Sequence, residues 1–341
     1  MGFFSIPLAK KSERKKKITS LRAGKKKVSS ARKGKTKKMN SHHPRAPYTR
    51  LYKHALESIF SHLNLRELAH ISATCRDWSG AVNSMRPIGA RCGMERHLDL
   101  RSMRNSRLMR HVLEIYLGST SGSVPVIDSL CDIIKQSTSL TKVDLYWKSI
   151  GDVGASAIAE AIKQSQSLTS VDLSENAIST IGASVIAEAI KQSQSLTKVE
   201  LDFNCIGEVG AVAIAAAIKQ SKLLASVSLS GCSIGDAGAV AIADAIKKSN
   251  SLVTVMLGGN LIGDNGACAI AEAINQNKSL TVLSLNHNSF GIVGASAIAE
   301  AIKQNKSLVT LNLYDNSFGL VGVAAITEAI AQSKSLITVN F

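Results

Sequence analysis

Leucine recurs at a constant interval of 28 residues over more than half of the chain. The first seven of these leucines open a segment of the form L-x-x-[VL]-x-L, as at Leu168, Val171 and Leu173, and the last opens one that ends in Phe341. Such alternation predicts a short strand with apolar side chains on one face and the intervening residues on the other. The leucines are Leu140, Leu168, Leu196, Leu224, Leu252, Leu280, Leu308 and Leu336.

The second half of each unit predicts a helix. Residues 154–165, GASAIAEAIKQS, place Ile158 and Ile162 four apart on one face, and the alanines beside them allow neighbouring helices to pack closely. A glycine at the start of each such segment predicts a close approach of the backbone there. On the outer face we expect i,i+3 ion pairs at Glu160–Lys163, Glu188–Lys191, Asp244–Lys247 and Glu300–Lys303.

Two further positions repeat in the turn between strand and helix. An asparagine is predicted to be buried and to hydrogen-bond the loop backbone, so that stacked copies form a ladder, which Lys148 and Cys232 interrupt. An apolar residue two positions later is predicted to fill the turn. The asparagines are Asn176, Asn204, Asn260, Asn288 and Asn316. The apolar residues are Ile178, Ile206, Ile234, Ile262, Phe290 and Phe318.

A period of this length indicates a stacked solenoid. A strand and a full helix in 28 residues resemble the ribonuclease-inhibitor-like class of leucine-rich repeats, and the resemblance covers residues 112–341. It implies an α/β fold, a right-handed horseshoe with a parallel sheet on the concave face and helices on the convex face. The class hosts inhibitors, immune receptors, GTPase activators and ubiquitin-ligase adaptors, so it implies no single function.

Charge divides the chain into parts. The formal net charge is +16, but residues 1–47 hold 16 Lys/Arg against one acid, residues 48–111 hold 11 against five, and residues 112–341 hold 14 against 19. We therefore predict a disordered basic tail at 1–47, a helical segment at 48–85, a basic connector at 86–111 and the array at 112–341, with eight repeats and a terminal strand. Within the connector, 98–100 is a candidate degenerate strand.

The tail contains KKSERKKK, RAGKKK and ARKGKTKK between residues 10 and 38. Three interpretations remain open. Such clusters are typical of nuclear import signals, of weak contact with nucleic acid or an anionic surface, or of a transit peptide or inert tail. No apolar run is long enough to span a membrane. The predicted localisation is intracellular, in the nucleus, the cytoplasm or both.

Apolar residues at helical spacing fill the segment between the tail and the connector. Together with Glu67 and the closing stretch ATCRDW, they resemble an F-box, a motif that commonly precedes leucine-rich repeats. The segment departs from that family at Tyr52, where proline is usual, and at His54, where an acid is usual. The resemblance implies docking to the Skp adaptor of a cullin-based ubiquitin ligase. The residues implied in that contact are Leu51, Leu56, Ile59, Phe60, Leu63, Leu68, Cys75 and Trp78.

No catalytic constellation is visible in the sequence. Motifs of the form GxxxxGK[ST], GxSxG and HExxH are absent, and His287 is the one histidine within the array. A zinc site there lacks partners at ligand spacing. The six cysteines form neither a CxxC motif nor a ladder, which is typical of buried free thiols. We predict a non-enzymatic protein without cofactor or metal.

A partner is expected on the concave face and in the loops that follow the strands. The outward position at the end of each strand reads Asp144, Asp172, Glu200, Ser228, Met256, Ser284 and Asn312, an acidic stripe that turns neutral along the array. Aromatic side chains beside this stripe are typical anchors of interfaces. We predict that the N-terminal third holds a basic, aromatic-tolerant partner segment, or the chain's own tail. The candidate residues are Asp144, Tyr146, Trp147, Asp172, Glu175, Glu200, Asp202 and Phe203.

Three functions fit these features. The first is a substrate-recognition subunit of a cullin-type (SCF) ubiquitin ligase, monomeric outside its complexes. The second is a scaffold of the same fold without a ligase link, and the third is a regulator like the Ran GTPase-activating protein, although no acidic C-terminal tail is present. The array ends at Phe341 inside a strand, which predicts either a truncated product or a strand edge that pairs with something.

Overall fold

The computed structural model describes residues 90–94, 112–117 and 124–341. The predictions for the tail, for the helical segment at 48–85 and for a strand at 98–100 lie outside these residues. Strands and helices alternate through the described array, and the ten strands form one parallel sheet whose order follows the chain. This is the predicted leucine-rich-repeat solenoid.

The strands are β1 (Ala90–Met94), β2 (Val112–Leu117), β3 (Lys142–Asp144), β4 (Ser170–Asp172), β5 (Lys198–Glu200), β6 (Ser226–Ser228), β7 (Thr254–Met256), β8 (Val282–Ser284), β9 (Thr310–Asn312) and β10 (Thr338–Asn340). The helices within the described ranges are α1 (Val124–Gln136), α2 (Gly151–Gln164), α3 (Thr180–Gln192), α4 (Gly207–Gln220), α5 (Gly235–Lys248), α6 (Asp264–Gln276), α7 (Ile292–Gln304) and α8 (Gly319–Gln332).

The sheet begins earlier than the repeat period indicates. Strand β1 lies inside the segment predicted to be a connector and pairs in parallel with β2. The pairing shifts register between Ala90 and Arg91. Because β1 falls outside the 28-residue register that defines the other strands, the leucine pattern could not locate it.

The core is one continuous cluster made of the repeated apolar positions. In one repeat, Leu168, Val171 and Leu173 from the strand side and Ile186 and Ile190 from the helix side are all buried. Successive strands pair with an offset of 28 residues, so each repeat presents the same apolar set to its neighbour. The period of the sequence is therefore the period of the packing.

The repeated glycine marks a close approach, as predicted, although it is not the first helical residue. Helix α2 begins at Gly151, three residues before Gly154. A Cβ added at Gly182 of α3 would lie 2.7 Å from Ile178 Cγ2, the residue that fills the preceding turn. All six turn-filling residues are buried, and the rings of Phe290 and Phe318 stack with centroids 5.8 Å apart.

Ion pairs on the convex face follow the prediction in three repeats and depart from it in one. Glu160–Lys163, Glu188–Lys191 and Glu300–Lys303 are present as i,i+3 pairs. The pair Asp244–Lys247 was wrongly predicted, because both residues bind elsewhere. Lys247 reaches Glu272 of the next helix, and Asp244 pairs with Lys219 of the preceding helix and with Lys248.

Candidate functional site

The acidic stripe exists and is continuous across three strands. Asp144, Asp172 and Glu200 are the last residues of β3, β4 and β5, and the pairing register places them side by side. Strands in a sheet lie about 4.8 Å apart, so three carboxylates repel one another across a short distance. The main-chain amides of Tyr146 and Ser174 donate to Asp144 and Asp172, which holds these two side chains over the ends of their own strands.

The stripe differs from its prediction in exposure and in charge. These positions were expected to be exposed, but the three acids are half-buried and Ser228 and Ser284 are buried. The strands of the sheet lie about 4.8 Å apart, so the side chains of the neighbouring strands cover both sides of each of these residues.

A second row on the concave face, at the strand starts, was missed. It carries Lys142 and Lys198 beside the acids, and Lys198 Nζ lies 3.0 Å from Glu200 Oε1. The sheet face is therefore less acidic than the stripe alone indicates. The missed signal was available, because residues two apart on a strand share a face.

One position in the loop after each strand recurs in the left-handed conformation. Five of its seven residues are not glycine and have φ between +53° and +56°, which is uncommon for such residues and costs backbone energy. The other two are glycines with φ of +64° and +67°. The same register position recurs in every repeat from β3 to β9, so the loops share one shape. The row is Trp147, Glu175, Phe203, Gly231, Gly259, His287 and Asp315.

Trp147 and Phe203 lie exposed at the N-terminal part of this row. Their side chains are 70% and 63% exposed, and the ring of Phe203 lies over Gly231, where an added Cβ would meet it at 2.6 Å. Between them, Glu175 Oε1 accepts a hydrogen bond from the Tyr146 hydroxyl at 2.6 Å. This bond and the carboxylate beside it raise the pKa of Tyr146 above its usual value. The predicted aromatic residues therefore converge on one surface with Glu175.

Asp202 belongs to the same surface but is already engaged by the protein. Its Oδ1 accepts hydrogen bonds from the Ser228 hydroxyl and from the Ser230 amide, at 2.5 and 2.6 Å. We therefore assign Asp202 to the support of β6 and of the loop that follows it. The remaining predicted residues keep side-chain atoms available at the surface.

An asparagine ladder fixes the shape of these loops, as predicted. Asn204 accepts from the amides of Asn176 and Ile178 of the preceding repeat and donates to the carbonyls of Leu173 and Leu201. Four loop groups per repeat are satisfied by one buried side chain.

The ladder continues at Cys232 despite the substitution. The Cys232 thiol takes the place of the asparagine side-chain NH2 group, and its sulfur lies 3.2 Å from the Leu201 carbonyl oxygen. The backbone N–H of Cys232 donates to the side-chain oxygen of Asn260. Burial raises the pKa of the thiol to about 12, so it stays protonated.

A second support, which sequence reasoning missed, joins consecutive helices. Asp152 of α2 accepts from the Ser179 hydroxyl and from the amides of Ser179 and Gly182, at the start of α3. Asp236 and Asp264 bond the starts of the following helices in the same way. Such a cap satisfies amide groups that the first helical turn leaves open. The sequence does not reveal this cap, because the acid and the helix start that it caps lie in different repeats, 27 to 30 residues apart.

The C-terminal part of the concave face carries a different group. His287 Nδ1 lies 2.7 Å from Asp315 Oδ2, and the Tyr314 ring packs edge-on against the imidazole with centroids 5.6 Å apart. His287 and Tyr314 line an open groove of about 550 Å³. Within the described residues, no cluster of His, Cys, Asp or Glu has metal-site geometry. In the same ranges no helix is long and apolar enough to cross a membrane.

Two protein-family models match segments of the chain. The F-box domain model matches residues 49–88, and the leucine-rich-repeat model matches five segments of the array. The matched repeats are 136–159, 164–187, 192–215, 220–243 and 276–299. No curated protein matches the chain.

Several solved structures are similar in fold. Leiomodin-1 actin-binding site 2 is 25% identical over 43% of this chain and 86% of its own, with a TM-score of 0.38. The tropomodulin C-terminal domain of Caenorhabditis elegans is 17% identical over 43% and 89%, with a TM-score of 0.36. An internalin of Listeria monocytogenes is 16% identical over 76% and 69%, with a TM-score of 0.46.

Proposed function

We propose that this chain, which carries an F-box domain ahead of leucine-rich repeats, is a substrate-recognition subunit of a cullin-type ubiquitin ligase. An F-box followed by such repeats is the makeup of a protein-interaction adaptor, and both families are generally non-enzymatic. The observation that carries the proposal is the F-box match at 49–88, which ends directly before β1 at Ala90. In this proposal the F-box docks the Skp adaptor and the array holds the target.

The docking contact is assigned to the apolar residues of the F-box. They lie within the matched range, and their spacing in the sequence predicts one apolar face for a partner helix. Tyr52 and His54 are the two positions at which the sequence departs from the F-box pattern. The proposed contacts are Leu51, Leu56, Ile59, Phe60, Leu63, Leu68, Cys75 and Trp78.

A binding experiment with two purified proteins tests the docking. The full chain is immobilised and challenged with the Skp adaptor, and capture is compared with that by Ile59→Ala and Trp78→Ala. Loss of a buried aromatic or aliphatic anchor costs about 2 kcal/mol or more of binding free energy, so the affinity for the adaptor should fall at least about thirtyfold. Trp147→Ala is the matched control, since it removes the other tryptophan and leaves the F-box intact. Equal capture by the wild type and the three variants, or no capture by the wild type, would refute the docking. The protein would then be a scaffold without a link to a ligase.

The target-binding surface is proposed at the N-terminal third of the array. Support comes from the acidic strand ends, which lie beside Trp147 and Tyr146, and from the shared loop shape that presents them. Asp144→Lys with Asp172→Lys reverses the charge at this place. The expected result is that proteins captured by the wild-type chain from cell extract, identified by mass spectrometry, are lost while Skp capture is kept.

The same charge change elsewhere provides the control. Met256→Lys with Asn312→Lys alters the equivalent strand-end positions of β7 and β9, which are equally half-buried. We expect this variant to retain the captured targets. If both double variants lose them, or neither does, the N-terminal third is not the recognition surface.

A further inference from the structure

The array has two edges of opposite charge. Because each strand end is joined to the next helix start by a short loop, these ends, loops and first helical turns share one edge, here termed the strand-end edge. Helix ends and strand starts share the other. Of the 14 lysines in 112–341, only Lys148 lies at the strand-end edge. The acids there are Asp144, Asp152, Asp172, Glu175, Glu200, Asp202, Glu208, Asp236, Asp264 and Asp315.

These acids have few cations of the same molecule beside them. Among the described residues, Glu200 is the member of this set that forms an ion pair with a lysine. Asp152 and Asp202 are held by amides and hydroxyls, which orient the carboxylates but leave their net charge in place. Because few lysines of the array lie beside these acids, the strand-end edge keeps a net negative charge that attracts cationic partners.

An exposed apolar row lies along the same edge, in the first turns of α2, α3 and α4. Val153, Ile181 and Val209 are 71%, 68% and 68% exposed. They occupy one register position in three consecutive repeats, and Val212 continues the surface one turn later in α4. Contiguous apolar side chains on a soluble protein are typical of an interaction site.

The three repeats that carry Val153, Ile181 and Val209 are also those in which the loop row carries Trp147, Glu175 and Phe203, and valine returns at the helix position in α7 and α8. Trp147 and Phe203 occupy the repeats of α2 and α4, and both rows change to small or polar residues in the next two repeats. There, the loop position is Gly231 or Gly259. The helix position is Ala237 or Asn265. Two unrelated positions in the repeat therefore define one surface, three repeats wide.

We propose that the strand-end edge of these three repeats binds a basic amphipathic helix of a partner protein, a step that rests on the proposed role of the array in target recognition. Packed helices lie about 8–10 Å apart, so the three apolar side chains recur at about that interval. A helix crossing them returns the same face every seven residues, about 10.5 Å. Residues i, i+7 and i+14 of the partner contact Val153, Ile181 and Val209, and its Lys/Arg face the acids.

Defined peptides test the proposal without knowledge of the natural target. The probe is a helical peptide of about 20 residues with Leu at heptad spacing and Lys elsewhere. One control has the same composition with the Leu positions scrambled, and a second has Glu in place of Lys. In the full chain with Trp78→Phe, Trp147 is the remaining tryptophan, and its fluorescence reports binding. We expect the patterned Lys peptide to bind about tenfold tighter than either control.

Substitutions locate the site. Val153→Ser with Ile181→Ser and Val209→Ser should weaken the patterned peptide by roughly tenfold or more. Val293→Ser with Val321→Ser changes the same helix position in α7 and α8 and should leave the affinity unchanged. Because these side chains are largely exposed, thermal unfolding of both variants should match the wild type.

A charge reversal provides an independent variant. Glu208 is exposed in the first turn of α4, and Glu208→Lys should weaken binding and reduce its dependence on salt. Equal binding of the patterned and scrambled peptides, no binding of either, or an unaffected triple Ser variant overturns the inference. Skp capture by the wild-type chain is a separate measurement. Its absence refutes the proposed function, whereas its presence with failed peptide binding refutes only this edge.

Discussion

The carboxylate of Asp152 lies 3.1 Å from the backbone nitrogen of Gly182, in the next helix of the array. The same oxygen would meet a Cβ on that glycine at 2.5 Å. The repeated glycine is therefore required by its neighbours on both sides, the turn-filling residue of its own repeat and the capping acid of the preceding repeat. This contact joins two repeats at the strand-end edge and fixes where α3 begins.

Replacement of this glycine should destabilise the array. Gly182→Ala forces a methyl group against Asp152 Oδ1 and against Ile178 Cγ2, at 2.5 and 2.7 Å. Overpacking of this kind costs about 1–3 kcal/mol. Urea unfolding of the full chain should show the loss, and Ser184→Ala, an exposed change two residues later in α3, should not. A Gly182→Ala chain as stable as the wild type would show that the contact is readily relaxed.

Removal of the capping charge should change how stability depends on pH. The Ser179 hydroxyl bond, aided by the two amide bonds and opposed by burial, lowers the pKa of Asp152 below its usual value. Because the folded pKa is below the unfolded value of about 3.9, the stabilisation is present above that value and is lost as the pH falls through the folded pKa. Asp152→Asn should cost about 1 kcal/mol at pH 7 and much less near pH 2.

Glu208→Gln is the matched control for the cap. Glu208 occupies the position of Asp152 in α4, but within the described residues no hydrogen bond joins its carboxylate to the start of α5. Unfolding curves of this variant at pH 7 and pH 2 should follow the wild type. An equal loss for both variants would indicate a general effect of charge rather than a cap.

The asparagine ladder should be the most sensitive polar element. Asn204→Ala leaves two amides and two carbonyls without their partner in the buried loop. Each unsatisfied buried group costs about 1–3 kcal/mol before water relieves part of it, so we expect a net loss of about 3 kcal/mol. Cys232→Asn, which restores the repeated residue, should instead stabilise the chain. Denaturant midpoints of the two variants should move in opposite directions.

Thiol labelling should separate the cysteines of the array. Burial raises the pKa of Cys131 and of Cys232 to about 12, whereas Cys205 is exposed. The thiolate is the reactive form, so iodoacetamide at pH 8 should modify Cys205 and spare the other two until the chain is unfolded. Peptide mass spectrometry gives the extent at each site. Labelling of Cys232 in the native chain would contradict a closed ladder.

The periodic features of the fold were predictable because each residue packs against copies of itself. Val171 lies beside Val143 and Val199, so the pattern of one repeat defines the core of all. The asparagine ladder and the turn-filling Phe290 follow for the same reason. Strand β1 was not predictable, because Ala90–Met94 shares no residue pattern with the later strands.

Contacts between unlike positions of two repeats were the part that the sequence did not reveal. Lys247 bonds Glu272 rather than Asp244, since the neighbouring helix is as close as its own next turn. Asp152 caps a helix that begins 28 residues further along the chain. Such pairings depend on the lateral distance between repeats, which periodicity alone does not give.

The mass of the complex with the Skp adaptor tests the central claim most directly. The purified full chain and the adaptor are mixed and analysed by size-exclusion chromatography with light scattering. A substrate-recognition subunit should form a complex of one copy of each protein, and Ile59→Ala should elute apart from the adaptor. Separate elution of the wild-type chain and the adaptor at micromolar concentration would contradict the account.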